Sequence, residues 1–180
     1  MAKQVRTVYA SALFSAARDS GRLTEVREQA EVIVAALAEN PDFLRILTHP
    51  EITLQEKQSM VDGVFAGKTD PLIHGTIVVL LEKEHGREIG NVLERFIDLA
   101  LNEEKIGVAY VSSAVELSGD QKERIRKKLL DTTDYTDMRV NYRIDPTLIG
   151  GLVIRLGDRI VDSSLSSKLD HMKHTLLAGE

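Results

Sequence analysis

Ile144-Asp145-Pro146-Thr147-Leu148-Ile149-Gly150-Gly151-Leu152-Val153-Ile154-Arg155-Leu156-Gly157 decides how the rest of this 180-residue chain is read. A polar segment ends in Asp-Pro, a short apolar hinge follows, and two adjacent glycines open an apolar strand. Paired glycines in that position mark backbone that turns where side chains would clash. The stretch is a β-loop-β unit. Gly150-Gly151 is no dinucleotide fingerprint, because GxGxxG and a following helix are both missing.

Working outward, Met138, Val140, Tyr142 and Ile144 alternate with Arg139, Asn141 and Arg143, the period of a half-buried strand. Ile106 to Val115, rich in Val, Ala and Ser, reads as an earlier strand. Between them Ser118 and Gln121 make a capping box that opens a helix through Ile125, Leu129 and Leu130. Leu152 to Leu156 is the next strand and Ile160-Val161-Asp162 follows it. Ser163 or Ser164 then caps a last helix carrying Leu165, Leu169, Met172 and Leu176. The expected order is βαββα.

The first half has the helical period instead. Val5, Tyr9, Ala12, Leu13 and Ala16 recur at helical spacing, and Gly21 ends the segment. Thr24 is expected to cap a second helix with Val26, Ala30, Ile33, Val34 and Leu37 on one side. Asn40-Pro41 starts a short third helix through Phe43, Leu44 and Leu47, and His49-Pro50 breaks the chain again. Thr53 with Glu56 is a capping box for a fourth helix carrying Met60, Val61 and Val64. Asp70-Pro71 opens a fifth, with Asp as cap and Pro at the first helical position, which stops near Gly86. A sixth runs from about Glu88 through Val92, Leu93, Phe96, Ile97 and Leu101. The expected fold class is α+β: an N-terminal six-helix bundle, residues 1–105, followed by a small C-terminal α/β domain, residues 106–180.

Composition narrows the function classes. Apolar residues make up 43% but aromatics only 4%, so the core is aliphatic. Cysteine is absent, which excludes disulfides, thiolate metal sites and cysteine nucleophiles and fits a reducing compartment. The longest apolar run, Ile77-Val78-Val79-Leu80-Leu81, is too short to span a bilayer, and Met1 leads directly into an amphipathic pattern with no signal-peptide run. A soluble chain is expected, reaching membranes only through partners. Residues 1–105 hold 12 of the 23 basic and 17 of the 28 acidic side chains, while 106–180 balance at 11 of each. The acidic half argues against nucleic acid and favours a basic or amphipathic partner segment.

The patterns that suggest chemistry fail on context. Gly63-Val-Phe-Ala-Gly67-Lys68-Thr69 has three residues between its glycines where a phosphate loop needs four, and a helix precedes it where a strand should. His171 and His174 lie three apart beside Asp170, without a third and fourth metal ligand, and His49, His74 and His85 are scattered. Lys122, Arg124, Arg126, Lys127 and Lys128 make one helix basic with no interleaved aromatics for base stacking. Glu82 and Glu84 point to different helix faces and no Ser/His/Asp set is recognisable. No catalytic, cofactor or metal site is expected. What remains is surface: a small-residue face on the first helix (Ala10, Ala12, Ala16 and Ala17 around Tyr9, Leu13 and Phe14). The fifth helix adds Ile73, Ile77, Val78, Leu80 and Leu81 on more than one side.

Three motifs carry a resemblance over essentially the whole chain. Tyr9-Ala10-Ser11-Ala12-Leu13-Phe14 is similar to the tyrosine-alanine-x-alanine-leucine opening of the delta subunit of F-type ATP synthases, the family of the oligomycin sensitivity conferring protein. Glu84-His85-Gly86-Arg87 resembles that family's link between its fifth and sixth helices. Ile144, Asp145, Leu148, Gly150, Gly151, Leu152, Ile154, Arg155 and Gly157 resemble its C-terminal signature, and Asp162 with Ser163 fits as well.

The resemblance implies a non-catalytic stator subunit without cofactor, tying the catalytic alpha/beta head of the synthase to the peripheral stalk so that the head resists rotor torque. It implies that the first and fifth helices receive the N-terminal helix of an alpha subunit, with Tyr9, Ala12, Leu13, Ala16, Ile77, Leu80 and Leu81 lining the groove. It implies that the C-terminal domain holds the stalk's b subunits, with the beta subunit as a further contact, and it implies no homo-oligomer. The location expected is the cytoplasmic side of a bacterial cell membrane, as a peripheral part of the complex. Leu13→Asp or Leu81→Asp is then expected to abolish alpha-peptide binding in a folded chain. A generic adaptor for amphipathic helices is the competing reading.

Overall fold

The structure, a computed structural model, describes residues 2–177, with the side chains of residues 4–170, 172 and 173. The fold is α+β: among the described residues there are eight α-helices and a four-stranded mixed sheet. The chain divides into two compact units, Met1–Leu101 and Asn102–Glu180.

The first unit is built from α1 (Ala2–Asp19), α2 (Leu23–Glu39), α3 (Pro41–Leu47), α4 (Leu54–Phe65), α5 (Pro71–Glu82) and α6 (Ile89–Glu103). Each contributes to one aliphatic core: Ala10, Leu13 and Ala17 from α1, for example, meet Ile73, Ile77 and Leu80 from α5 and Phe96 from α6 in the same cluster. Two helix starts follow their sequence signals. Thr53 and Glu56 form the reciprocal capping box of α4. Asp70 caps α5 through the Leu72 N–H, 2.9 Å away, with Pro71 in the first turn. Asp70 is itself buried, held by the Arg22 guanidinium from the α1–α2 corner, and its N–H donates to Gln29 Oε1 on α2. A single residue thus ends a loop, starts a helix and ties α5 to α2.

Two expected boundaries move. Thr24 does not cap α2: the helix starts at Leu23, and Arg22 occupies the cap position without a side-chain bond. The reason is the end of α1. Gly21 sits at φ +68 and the N–H groups of Gly21 and Arg22 return to the Arg18 and Ala17 carbonyls, the six-to-one and five-to-two closure that runs straight into the next helix. The fifth helix stops at Glu82 rather than near Gly86. Glu84 takes the left-handed position, φ 59, while the Glu84 and His85 N–H groups bond to Leu81 and Leu80. Gly86 instead begins a one-turn 3-10 helix packed so closely that an added Cβ would lie 3.1 Å from Leu81 Cδ2.

The second unit runs β1 (Ile106–Ser113), α7 (Gly119–Asp131), β2 (Asp137–Ile144), a 3-10 turn (Pro146–Leu148), β3 (Leu152–Leu156), β4 (Arg159–Asp162) and α8 (Leu165–Leu177). The strand order is β2-β1-β3-β4, with β1 and β2 parallel across the α7 crossover and the other pairs antiparallel. The expected βαββα order therefore lacks one strand. Ile160–Asp162 belongs to a fourth, because Gly157 at φ +56 reverses the chain and returns it along β3. Ser118 and Gln121 form the capping box that starts α7. One sheet face packs on α7 through Ala109, Leu129 and Met138, with Ile125, Val140 and Ile154 around them. The β2 alternation is buried only at its Met138 end, and Ile144 stands exposed at the other.

Candidate binding surfaces

Signature residues Ile144 to Leu152 gather around one corner of the second unit, and β3 carries the others away to Gly157 at its far end. The Asp145 N–H donates to Ser113 O at the end of β1, and its carboxylate caps the 3-10 turn by accepting from the Thr147 N–H and hydroxyl. Ile149 follows in a left-handed conformation, φ 63, with its side chain in solvent. Gly150 O accepts from Leu165 N, and a Cβ on Gly150 would press 2.7 Å from Leu165 Cδ1. Gly151, φ +77, runs against the β4–α8 connection: a Cβ there would lie 2.4 Å from Ser163 O. On the far side Ser163 bonds to Leu152 O through both its N–H and its hydroxyl. Ser164, fully buried, is the residue that caps α8, accepting from Ser167 N. Asp145, Gly150 and Gly151 are thus architectural, whereas Ile144, Ile149 and Arg155 are left in solvent.

Two carboxylates staple this corner. The Thr147 hydroxyl, then its N–H, hold Asp145 below the ordinary carboxylate range, and the Ser167 hydroxyl with the Ser164 N–H does the same for Asp162. A carboxyl depressed in the folded state adds stability that is present at neutral pH and lost as pH falls through the carboxylate range. Asp162→Asn should therefore flatten the acid limb of the second unit's stability. Denaturant midpoints between about pH 6 and about pH 3 would check this, and superimposable profiles would contradict it.

The α1 and α5 residues expected to line one groove are not equivalent. Leu13 (3% exposed), Ile77, Leu80 and Leu81 (5% exposed) belong to the core of the first unit. Tyr9 and Ala16 are half-buried and Ala12 is exposed. The apolar side chains that these two helices leave in solvent include Val8 (63% exposed) and Val79 (39% exposed), neither of them singled out from the sequence. Val8 was legible as the residue one turn before Ala12, and Val79 lies inside the apolar run of α5. What hid them is that α5 is apolar on several faces, so periodicity does not say which face is covered.

The discounted chemistries also have places. Gly63 to Phe65 close α4, and the loop after them ends on Asp70 at the start of α5, where a carboxylate already occupies the cap. His74 pairs with Asp62 across α4 and α5 at 2.7 Å, and His85 packs edge-on to Tyr9. The side chains of His171 and His174 lie outside the described residues. Among the described residues no group of three His, Asp or Glu could hold a metal ion, and no helix is long and apolar enough to cross a membrane. On α7, Arg126 pairs with Asp137 and Lys122 lies over the Tyr142 ring, so part of the basic run holds β2.

Comparison with known proteins places the whole chain. A chain of the Toxoplasma gondii mitochondrial ATP synthase hexamer has the same fold, with a TM-score of 0.77 and 22% identity over 96% of this chain and 97% of that one. ATP synthase subunit delta of Lachnoclostridium phytofermentans is 39% identical over 176 residues, 98% of this chain and 97% of the relative. The same subunit of Moorella thermoacetica is 36% identical over 162 residues, 90% of each. Residues 5–176, which include both the α1 motif and the Gly150-Gly151 corner, match the family described as ATP synthase delta (OSCP) subunit, and the chain belongs to that family.

Proposed function

We propose that this chain is a non-catalytic stator link of an F-type ATP synthase, joining the alpha/beta head to the peripheral stalk. The observation that carries the reading is the match of residues 5–176 to the delta (OSCP) family, a match that runs through both compact units. Rotary catalysis puts torque on the head, and a stator resists it with tight, slowly dissociating interfaces. The six helices of the first unit are the bundle that receives the N-terminal helix of an alpha subunit. The second unit holds the ends of the stalk's b subunits, with the beta subunit as a further contact. The chain sits peripherally, on the cytoplasmic side of a bacterial membrane, as part of the complex.

The alpha site is read on α1 and α5, but on their solvent side. An amphipathic helix laid there would cover Val8 and Ala12 of α1 and Val79 of α5, with Tyr9 and Ala16 at its edge. Calorimetry of the purified chain with a peptide of a cognate alpha subunit's first ~25 residues tests this, the length giving several helical turns. Val8→Asp and Val79→Asp should each weaken binding about tenfold or more, with the helical spectrum unchanged, because each puts a charge into an apolar contact while staying solvated in the free chain. Undiminished affinity in both variants would remove the α1–α5 assignment.

A further inference from the structure

The two edge strands of the sheet are built differently. β4 has four residues, and so short an edge offers little to pair with. β2 has eight, with no proline and no bulge in its register against β1. The Asp137 and Asp145 N–H groups both point to β1, donating to Lys105 O and Ser113 O. Alternate residues of a strand bond to the same neighbour, so the N–H and C=O groups of Met138, Val140, Tyr142 and Ile144 point the other way, out of the sheet. The first of these residues is closed locally: the Met138 N–H donates to Asp137 Oδ1, and Met138 O accepts from Arg126 Nε on α7. Among the described residues, the outward groups of Val140, Tyr142 and Ile144 meet no partner.

The side chains along this edge differ on the two faces. On the α7 side the strand is apolar and its cover thins along its length: Met138 is 3% exposed, Tyr142 36% and Ile144 53%. α7 still reaches Tyr142, whose O–H donates to Lys122 O, but nothing follows it over Ile144. The opposite face shows Arg139, Asn141 and Arg143, set against Val108, Tyr110 and Ser112 of β1, none of them acidic. The carboxylates at the two ends of that face are already engaged, Asp137 by Arg126 and Asp145 by Thr147. Arg143 is exposed, and among the described residues no ion pair engages it. Open peptide groups select a strand as occupant, and the two faces select its alternation.

We propose that the outer edge of β2, from Val140 to Ile144, takes an extended segment of a partner chain whose residues alternate between apolar and acidic. Its backbone completes the outward peptide groups, its apolar side chains lie beside Tyr142 and Ile144, and its carboxylates lie beside Arg143. The occupant is a strand, so this contact is separate from the helix contacts proposed above and does not rest on them. The test is calorimetry of the full chain with a blocked peptide of alternating valine and glutamate, ~8 residues long, the length of an ordinary strand. One-to-one binding is expected. N-methylation of the valines alone and of the glutamates alone should abolish binding in one case and spare it in the other, because a strand turns alternate N–H groups to its neighbour. Arg143→Glu should weaken binding about fivefold or more, the scale of a cross-strand charge pair. Arg159→Glu makes the same charge change on β4, three strand spacings away, and should leave affinity unaltered. Loss with both methylated peptides, or with neither, overturns the edge pairing. So does equal weakening by the two arginine variants, which reduces the effect to net charge. A peptide that fails to bind the folded chain overturns the proposal and leaves the stator reading standing.

Discussion

Gly151→Ala is expected to cost the second unit about 3 kcal/mol, the sum of a left-handed backbone penalty and a backbone clash. At φ +77 any L side chain is strained, and that part alone is about 1–2 kcal/mol. The rest comes from Ser163 O, 2.4 Å from the new Cβ, with Ser163 C and Ser164 Cα at 3.0 Å. None of these is the tip of a flexible side chain. To make room, the connection that carries the Ser163 bonds to Leu152 and the Ser164 cap of α8 must move. Gly157→Ala is the matched control: its φ is +56, but an added Cβ meets nothing within 4 Å, so only the conformational part should appear. Urea unfolding of the three proteins would separate the two contributions. Equal losses at Gly151 and Gly157 would show that the close approach to Ser163 is not what demands glycine.

Leu13→Asp is expected to unfold the first unit rather than to disconnect it from a partner. Leu13 is buried in the core cluster that holds Ala10, Ala17, Ile73 and Ile77. An ionised group in that setting costs several kcal/mol, against a total stability of ~5–15 kcal/mol for a domain of this kind. Leu81→Asp shares the mechanism, at 5% exposure in the same core. Val8→Asp, two turns or less away on α1, should keep the native helical signal, because Val8 already stands in water. Thermal unfolding followed by circular dichroism makes the comparison. A cooperative, near-native transition in Leu13→Asp would return Leu13 to the partner surface.

Much of this architecture is local and therefore readable along the chain. Capping boxes at Thr53–Glu56 and Ser118–Gln121 and the Asp70-Pro71 start involve residues within four positions of one another, and all three are present. The change from a 3.6 period to alternation near residue 106 is likewise a local statement, and β1 begins at Ile106. The misses share a cause. Thr24 looked like a cap, but the α1 ending decided where α2 begins. Ile160-Val161-Asp162 is too short to identify as a strand until β3 lies beside it.

The chain's order of residues settles its family, its α+β class and the glycine corner, because motif spacing and backbone demands at Gly150-Gly151 are written in consecutive residues. Which apolar residues remain for partners is a different kind of question. Leu13 and Val8 are similar in hydrophobicity on one helix, and α5 is apolar on several sides. Burial there depends on what five other helices place against each face. The same holds in the second unit, where Val161 is exposed only because α7 leans over β1 and β2 and α8 is directed elsewhere by its cap. Burial is a property of surfaces meeting across long sequence separations, so it emerges only once the chain is folded.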